Sequence, residues 1–186
     1  MIKRSFRPAR SLTLAIGLFL VSSLLGGCST MKIENFAGSE PDFNLEEYFT
    51  GDTVGYGIVT DRFGKLRREF KVDINGYWDD DIFVLDEDFE FTDGEQSTRQ
   101  WRIQPLGDNR YSATAGDIVG EARGISEGKA LNWSYRIAIP LGGRAVEVTF
   151  DDWMFLQRDG VLINRAVMKK WGIKLGTVSI FFLRSP

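Results

Sequence analysis

Apolar and polar residues alternate with a period of two over most of the chain after about residue 50. Phe70, Val72 and Ile74 alternate with charged or polar residues, and the segment from Trp133 to Ile139 alternates in the same way. Because successive side chains of a β-strand point to opposite faces, this period predicts half-buried strands rather than helices.

Short turn sequences separate the alternating segments: Asn75-Gly76, Asp93-Gly94, Asp108-Asn109, Glu127-Gly128, Gly142-Gly143 and Asp159-Gly160. Turn residues at this spacing predict about nine or ten short strands joined by hairpins. A serial run of hairpins favours an all-β fold, an antiparallel up-and-down β-barrel of about 8–10 strands, because closure removes unpaired sheet edges. A β-sandwich is the alternative.

The N-terminal segment has the layout of a secretory signal peptide. Basic residues up to Arg10 precede a mostly apolar run from Leu12 to Leu25, which is too short for a transmembrane helix. Gly26-Gly27-Cys28 follows, and Cys28 is the only cysteine of the chain. This arrangement is typical of a bacterial lipobox, so we expect acyl chains such as palmitate on Cys28, which would anchor the protein to a membrane. Ser29 is not the Asp of an inner-membrane retention signal, which favours the periplasmic side of the outer membrane.

These observations divide the chain into three parts. We predict a lipoprotein signal peptide over residues 1–27, a lipid-anchored tether over residues 28–43 and a single β-barrel domain over residues 44–186. Pro41 followed by Asp42 to Tyr48 favours one helical turn leading into the domain.

Composition limits the classes of function. The predicted signal peptide carries four of the 23 basic residues and none of the 26 acidic ones, so its removal leaves a net charge of −7. Such an acidic domain is a poor nucleic-acid binder, because that binding depends on Lys and Arg neutralising phosphates. The chain has no histidine, which removes Ser-His-Asp and Cys-His catalysis and most zinc sites. We therefore expect a protein that is not an enzyme, with no cofactor and no metal; a protein partner is left open.

Several polar residues share a strand face with large apolar residues. If these faces point into the barrel, acids and arginines meet inside it, and each buried charge needs a partner. They would either grip the polar head of a ligand, with Arg99 or Arg165 meeting an anionic group, or form internal ion pairs that close one end. The candidate ligand-binding residues are Arg99, Trp101, Glu87, Tyr135, Asp152 and Arg165.

A set of motifs resembles a known family. The motifs are Phe49-x-Gly51-x-x-x-Gly55-x-Gly57, Leu85-x-Glu87-x-Phe89-x-Phe91, Arg99-x-Trp101, Asn132-Trp133-x-Tyr135, Phe150-Asp151-Asp152-Trp153-Met154 and Asn164-Arg165-Ala166. Together they resemble the bacterial lipoprotein family of domain of unknown function 3833, from about Phe43 to Arg184. That family has no assigned activity, but its genes often lie near those for fatty-acid-modifying enzymes, so the resemblance implies a connection with lipids. The fold is similar to the lipocalin and calycin barrels, although Gly55-Tyr56-Gly57 stands where lipocalins carry Gly-x-Trp.

Three functions follow as hypotheses. The first is a lipid-anchored periplasmic barrel that binds a fatty acid or lipid in its lumen. The second is a non-catalytic structural or assembly partner in the cell envelope with a solid core. The third is an enzyme that acts on lipids or glycans through Glu87, Asp152 or Asp117, which would require a pair of carboxylates facing one cavity.

Overall fold

Ten strands pair in antiparallel order and close on themselves in a computed structural model of the chain, which describes residues 31–141 and 143–184. A 3-10 helix (Ile33–Phe36) and one α-helix, α1 (Leu45–Phe49), precede the strands. The strands are β1 (Gly51–Asp61), β2 (Leu66–Asp79), β3 (Ile82–Phe91), β4 (Gln96–Gly107), β5 (Arg110–Thr114), β6 (Ala122–Glu127), β7 (Ala130–Leu141), β8 (Arg144–Leu156), β9 (Leu162–Lys170) and β10 (Ile173–Arg184).

Each strand pairs with the strands before and after it in sequence, and β1 pairs with β10 to complete the ring. Gly57 stands opposite Ile180 in this closing pair. The prediction of a closed, antiparallel up-and-down barrel of about 8–10 strands is therefore confirmed, and the alternative β-sandwich is wrong.

The turn signals that lie wholly within the described residues are correct with one exception, and Gly142 of Gly142-Gly143 lies outside those residues. Asp93-Gly94, Asp108-Asn109 and Asp159-Gly160 lie between consecutive strands, as predicted. Asn75-Gly76 lies inside β2, and the strand turns only at Asp80, whose φ is 54°. Gly76 is needed there for close approach, because a Cβ atom at this position would collide with the backbone carbonyl of Phe49 in α1.

Helix α1 covers one end of the barrel, which we call the closed end. The Asn44 side chain caps the helix by accepting a hydrogen bond from the Glu47 N–H at 2.8 Å. Leu45 and Phe49 are buried beneath it, and the Tyr48 hydroxyl lies within hydrogen-bond distance of the backbone carbonyls of Gly160 (3.0 Å) and Phe182 (3.1 Å). These contacts join the helix to the strand ends around it.

The opposite end, which we call the far end, is less completely filled. Inward-facing side chains near α1, such as Phe83 and Leu131, are fully buried. Nearer the far end a second cluster is also buried, whereas the inward-facing side chains of Val59, Phe89 and Met168 are only half-buried; the cluster consists of Ile137, Val148, Phe150 and Ala166. The lumen is thus sealed by α1 at one end and lined by accessible apolar surface toward the other.

The segment before α1 differs from the tether predicted for residues 28–43. Ile33 of the 3-10 helix is buried against Ala130 and Trp153 on the outer wall of the barrel. Phe43 is also buried, and its N–H donates to the Gly128 carbonyl at 2.8 Å. The residues that pack as part of the domain therefore begin near Ile33 rather than at residue 44, because two large apolar side chains find pockets there.

Residues 32–186 form one compact unit that contains the strands, both helices and the core described above. This unit has its own closed sheet and its own core, so it has what a domain needs to fold by itself. The predicted signal peptide and the lipidated Cys28 lie outside the described residues. No helix in the described ranges is long and apolar enough to cross a membrane.

We expect Gly76→Ala to destabilise the protein by about 1–3 kcal/mol, because the added methyl group would push α1 away from the closed end. Gly116→Ala is the matched control, since a Cβ atom at Gly116 has no heavy atom within 4 Å. Urea unfolding followed by circular dichroism measures both variants. Equal stability of the two variants would contradict the role assigned to Gly76.

Candidate functional site

An internal cavity of about 100 Å³ lies in the lumen beside α1. Most of its wall is apolar or aromatic, but four polar side chains contribute to it. The cavity is lined by Leu45, Phe49, Ile74, Leu85, Glu87, Trp101, Ile103, Trp133, Tyr135, Asp152, Met154, Asn164, Ile180 and Phe182. A largely apolar concave surface with a few polar groups is the usual form of a small-ligand site.

Asp152 is the most firmly held of the polar groups. Its position in β8 lies diagonally opposite Tyr135 of β7, whose hydroxyl donates to Asp152 Oδ2 at 2.9 Å. The side-chain amide of Asn164 donates a short hydrogen bond to the other carboxylate oxygen. Burial raises the pKa of Asp152 to about 6, and the two hydrogen bonds oppose that rise by stabilising the carboxylate.

Glu87 lies on β3 directly opposite Arg99 on β4, and both side chains point into the barrel. The Arg99 Nη1 atom lies 3.8 Å from Glu87 Oε2. Burial raises the pKa of Glu87 to about 7, and the positive charge of Arg99 and a hydrogen bond with the Trp101 side chain reduce that rise. The Oε2 atom of Glu87 is buried and has no hydrogen-bond partner among the described residues. A buried acceptor in this state costs free energy until a donor reaches it.

The Arg99 guanidinium is engaged by a second acid. Its Nη2 and Nε atoms donate to the two carboxylate oxygens of Asp117, at 2.6 and 3.2 Å. Asp117 comes from the loop between β5 and β6. This bidentate pair uses the geometry for which an arginine would otherwise bind an anionic ligand. Arg99 is therefore already paired, which argues against the expected contact between this arginine and the anionic head of a ligand.

The Tyr135 ring is fixed by two aromatic neighbours. It stacks on Phe150 with ring centroids 5.0 Å apart and meets Trp101 edge-on at 5.6 Å. Burial, together with the negative charge of Asp152, raises the pKa of Tyr135 well above its ordinary value. The hydroxyl therefore stays protonated and acts as the donor to Asp152.

Four of the six predicted site residues line the cavity: Glu87, Trp101, Tyr135 and Asp152. Arg99 lies beside them through its contact with Glu87. The structure brings these five together, and their role in binding a ligand stays a prediction.

The inward position expected for Arg165 is wrong. Arg165 stands opposite Trp153 and Ser179 on the outer face of the barrel and is exposed. Its neighbour Asn164 is buried, lines the cavity and was missed by the sequence analysis. The apolar residues two positions before and after Arg165 share its strand face and are half-buried on the outside of the barrel. Alternation alone therefore did not show which face of β9 was internal.

Adjacent acids in β8 point apart, as strand geometry requires. Asp151 faces outward and accepts hydrogen bonds from the Trp153 indole at 3.0 Å and the Asn132 amide at 3.1 Å. The pair Asp151-Asp152 therefore does not form one site. Within the described ranges, no group of three His, Cys, Asp or Glu side chains is placed to hold a metal ion.

We call Glu87, Arg99, Tyr135, Asp152 and Asn164 the polar layer. Arg99 is its cation, and it is balanced by Asp117 outside the cavity wall. The two acids facing the cavity then leave the layer neutral or negative, depending on pH. Such a layer repels a free carboxylate and accepts a neutral group that donates hydrogen bonds.

Comparison with known proteins agrees with the fold and leaves the activity open. The family model described as "Protein of unknown function (DUF3833)" matches residues 22–184. Among solved structures, an S-type phycobiliprotein lyase (CPES) from Guillardia theta is similar, with a TM-score of 0.53 and 8% identity. The similarity covers 84% of this chain and 94% of the lyase, and it confirms a lipocalin-like barrel without extending to function. No curated protein matches the chain.

We expect Glu87→Gln to remove much of the pH dependence of stability. The pKa of Glu87 rises from 4.5 in its ordinary state to about 7 in the fold, so the native protein binds more protons than the unfolded chain between these values. The stability contributed by Glu87 is complete below about pH 4.5 and is lost as the pH rises through about 7. The variant should therefore exceed the wild type in free energy of unfolding at pH 8, by a difference on the order of 3 kcal/mol.

Urea unfolding at pH 5 and pH 8 measures this difference. Glu90→Gln is the matched control, because Glu90 lies on the same strand and is exposed. The assignment of Glu87 fails if both variants show the same change with pH as the wild type.

Proposed function

The chain belongs to the DUF3833 family, and we propose that it is a non-catalytic binding protein that holds one lipid-like molecule in the lumen of its barrel. The observation that carries this proposal is the apolar cavity at the polar layer, where the buried Oε2 atom of Glu87 lacks a hydrogen-bond partner among the described residues. A ligand group that donates a hydrogen bond there would satisfy that oxygen.

The size of the cavity indicates how the ligand would lie. About 100 Å³ is well below the roughly 300–1,000 Å³ of a pocket that encloses a whole small molecule. The ligand would therefore place its polar end at the polar layer and extend its apolar part toward the far end. The half-buried side chains of Val59, Phe89, Phe91 and Met168 would line that route, and covering them would remove apolar surface from water.

The charge of the polar layer narrows the ligand class. A hydroxyl, an amide or a protonated carboxylic acid can donate to Glu87, whereas an ionised carboxylate would meet two acids and an arginine already bound to Asp117. The ligand we propose is thus a single-chain lipid with a neutral hydrogen-bonding end, such as a fatty alcohol, a monoacylglycerol or a protonated fatty acid. This differs from the expectation of an anionic head on Arg99.

A second candidate function is an enzyme. Glu87 and Asp152 face one cavity and have pKa values raised to about 7 and about 6, which suits acid–base chemistry near neutral pH. The solved barrel of similar fold is named a lyase, so an enzyme can have this fold.

We also propose that acyl chains on Cys28 hold the barrel at the periplasmic side of the outer membrane. The support is the sequence alone, namely the apolar run followed by Leu25-Gly26-Gly27-Cys28 and then Ser29. The anchor would keep the domain near lipids despite its net negative charge.

The ligand proposal predicts that the wild type binds hexadecanol and that Ile180→Trp, which fills the cavity, weakens binding about tenfold or more. Quenching of tryptophan fluorescence by a brominated fatty alcohol measures binding, because Trp101 and Trp133 line the cavity. Palmitic acid should bind more tightly at pH 5.5 than at pH 8, since only its neutral form can donate to Glu87. Arg165→Leu is the control and should bind as the wild type does, because Arg165 lies outside the barrel.

Native mass spectrometry of the purified protein separates the alternatives. An added mass that extracts into organic solvent supports the proposal. An empty protein that takes up none of these lipids would instead favour the structural or assembly partner with a filled core. Chemical conversion of an added lipid by the wild type, but not by Glu87→Gln, would favour the enzyme.

The anchor proposal predicts that Cys28→Ser moves the protein from the membrane fraction to the soluble fraction. Ser29→Asp should keep it membrane-bound but shift it to the inner membrane, because an Asp after the lipidated cysteine is the retention signal. Sucrose-gradient fractionation with mass analysis of the N-terminal peptide measures both outcomes. An unmodified Cys28 in the mature protein would reject the anchor.

A further inference from the structure

Two hairpin tips at the far end carry aromatic side chains that are almost wholly exposed. Phe63, in the turn between β1 and β2, is 80% exposed, and Trp171, in the turn between β9 and β10, is 88% exposed. They are the most exposed large apolar side chains in the described part of the chain. Large aromatic residues are normally highly buried. Their exposure here therefore indicates a surface that contacts another protein or a membrane.

The two tips are neighbours, because β1 and β10 pair along the closing seam of the barrel. Asp61 stands opposite Gly176 at the last pair of that seam. The turn between β1 and β2 and the turn between β9 and β10 each lie within a few residues of this pair. Other exposed apolar residues lie on the same two tips: Leu66, Ile173 and Leu175. We define the tip surface as residues 62–68 and 169–175.

The tip surface is strongly basic within an acidic chain. It contains no Asp or Glu, although the full sequence has 26 acidic and 23 basic residues. The Arg62 guanidinium lies 4.7 Å from the centre of the Phe63 ring, and Lys170 Nζ lies 4.6 Å from that of Trp171. Its cations are Arg62, Lys65, Arg67, Arg68, Lys169, Lys170 and Lys174.

Neighbouring acids engage only part of this charge. Arg67 pairs with Asp61, Arg68 pairs with Asp93 and Glu95, and Lys169 Nζ lies 3.6 Å from Asp151 Oδ2. At the closed end, by contrast, three consecutive acids, residues 79–81, occupy the end of β2 and the turn to β3. The other far-end connections, between β3 and β4 and between β5 and β6, carry acids, so the positive charge of this end is concentrated on the tip surface.

We propose that the tip surface docks on an anionic lipid bilayer, with Phe63 and Trp171 inserted at the level of the headgroups. Aromatic residues are favoured at that depth, and each flanking Lys or Arg is attracted to anionic headgroups. Charge complementarity and the projecting aromatic tips argue for this occupant, since a fluid lipid surface admits protruding side chains without a matching groove. The inference is independent of the proposed lumen ligand, although docking would place the far end of the barrel against lipid.

The test uses the unit from Lys32 to Pro186, so that no acyl chain contributes to binding. Flotation with vesicles of phosphatidylcholine alone, or with about a quarter phosphatidylglycerol, measures partitioning. We expect binding to the anionic vesicles only, and weaker binding as salt rises from about 0.05 to about 0.5 M, since salt screens exposed charges. The double variant Phe63→Ser/Trp171→Ser should lower the partition coefficient about tenfold or more.

Two further variants make the test specific. Lys170→Glu/Lys174→Glu keeps both aromatic residues and should also weaken binding. Leu106→Ser is the matched control, because Leu106 is 53% exposed near the turn between β4 and β5, at the closed end. Lack of binding to anionic vesicles by folded wild type overturns the proposal. So does equal loss of binding in Leu106→Ser, or a change in oligomeric mass of the double variant with vesicle binding unchanged.

Discussion

A ring of ten strands encloses more space than its own side chains readily fill, and this constraint explains much of the structure. Barrels of about eight strands have an interior just wide enough for side chains or one small ligand, and the diameter grows with the number of strands. Here α1 fills the space at one end, with Leu45 and Phe49 buried below it. Gly55 and Gly57 face inward without side chains, so the rings of Phe182 and Phe70 can lie across them. This packing leaves a cavity beside α1, and the polar layer forms part of its wall.

The polar layer has its properties because it lies inside that ring. The same burial that makes the wall apolar raises the pKa of both Glu87 and Asp152. Asp152 meets two hydrogen-bond donors. Glu87 meets the Trp101 side chain and a distant Arg99 that is already bound to Asp117, and its Oε2 atom has no hydrogen-bond partner among the described residues. Of the two acids that face the cavity, Glu87 is therefore the one at which a hydrogen bond from an incoming ligand would contribute most to the free energy of binding.

The alternation of apolar and polar residues predicted the barrel and most of its inward-facing side chains. It was insufficient for strands in which both faces are partly apolar. Glu87 and Asp152 were placed correctly because large apolar residues flank each of them on the same face. Arg165 has apolar flanks too, but they pack on the outer wall, so the sequence offered no way to choose between it and Asn164. The partner of Arg99 could not be predicted, because Asp117 comes from a loop that only the closed sheet brings near. Gly76 reads as a turn in sequence, and its contact with α1 exists only in three dimensions.

The seam between β1 and β10 has a consequence for how the barrel folds. It joins residues as far apart in sequence as Thr53 and Arg184, whereas every other strand pair is formed by neighbours along the chain. During synthesis β10 emerges after all the other strands, so the hairpins can form progressively while the ring stays open. Until β10 arrives, β1 and β9 each present an unpaired edge to other chains, and such edges promote aggregation. The period in which a chaperone would benefit this protein most is thus the interval between the appearance of the ninth strand and that of the tenth.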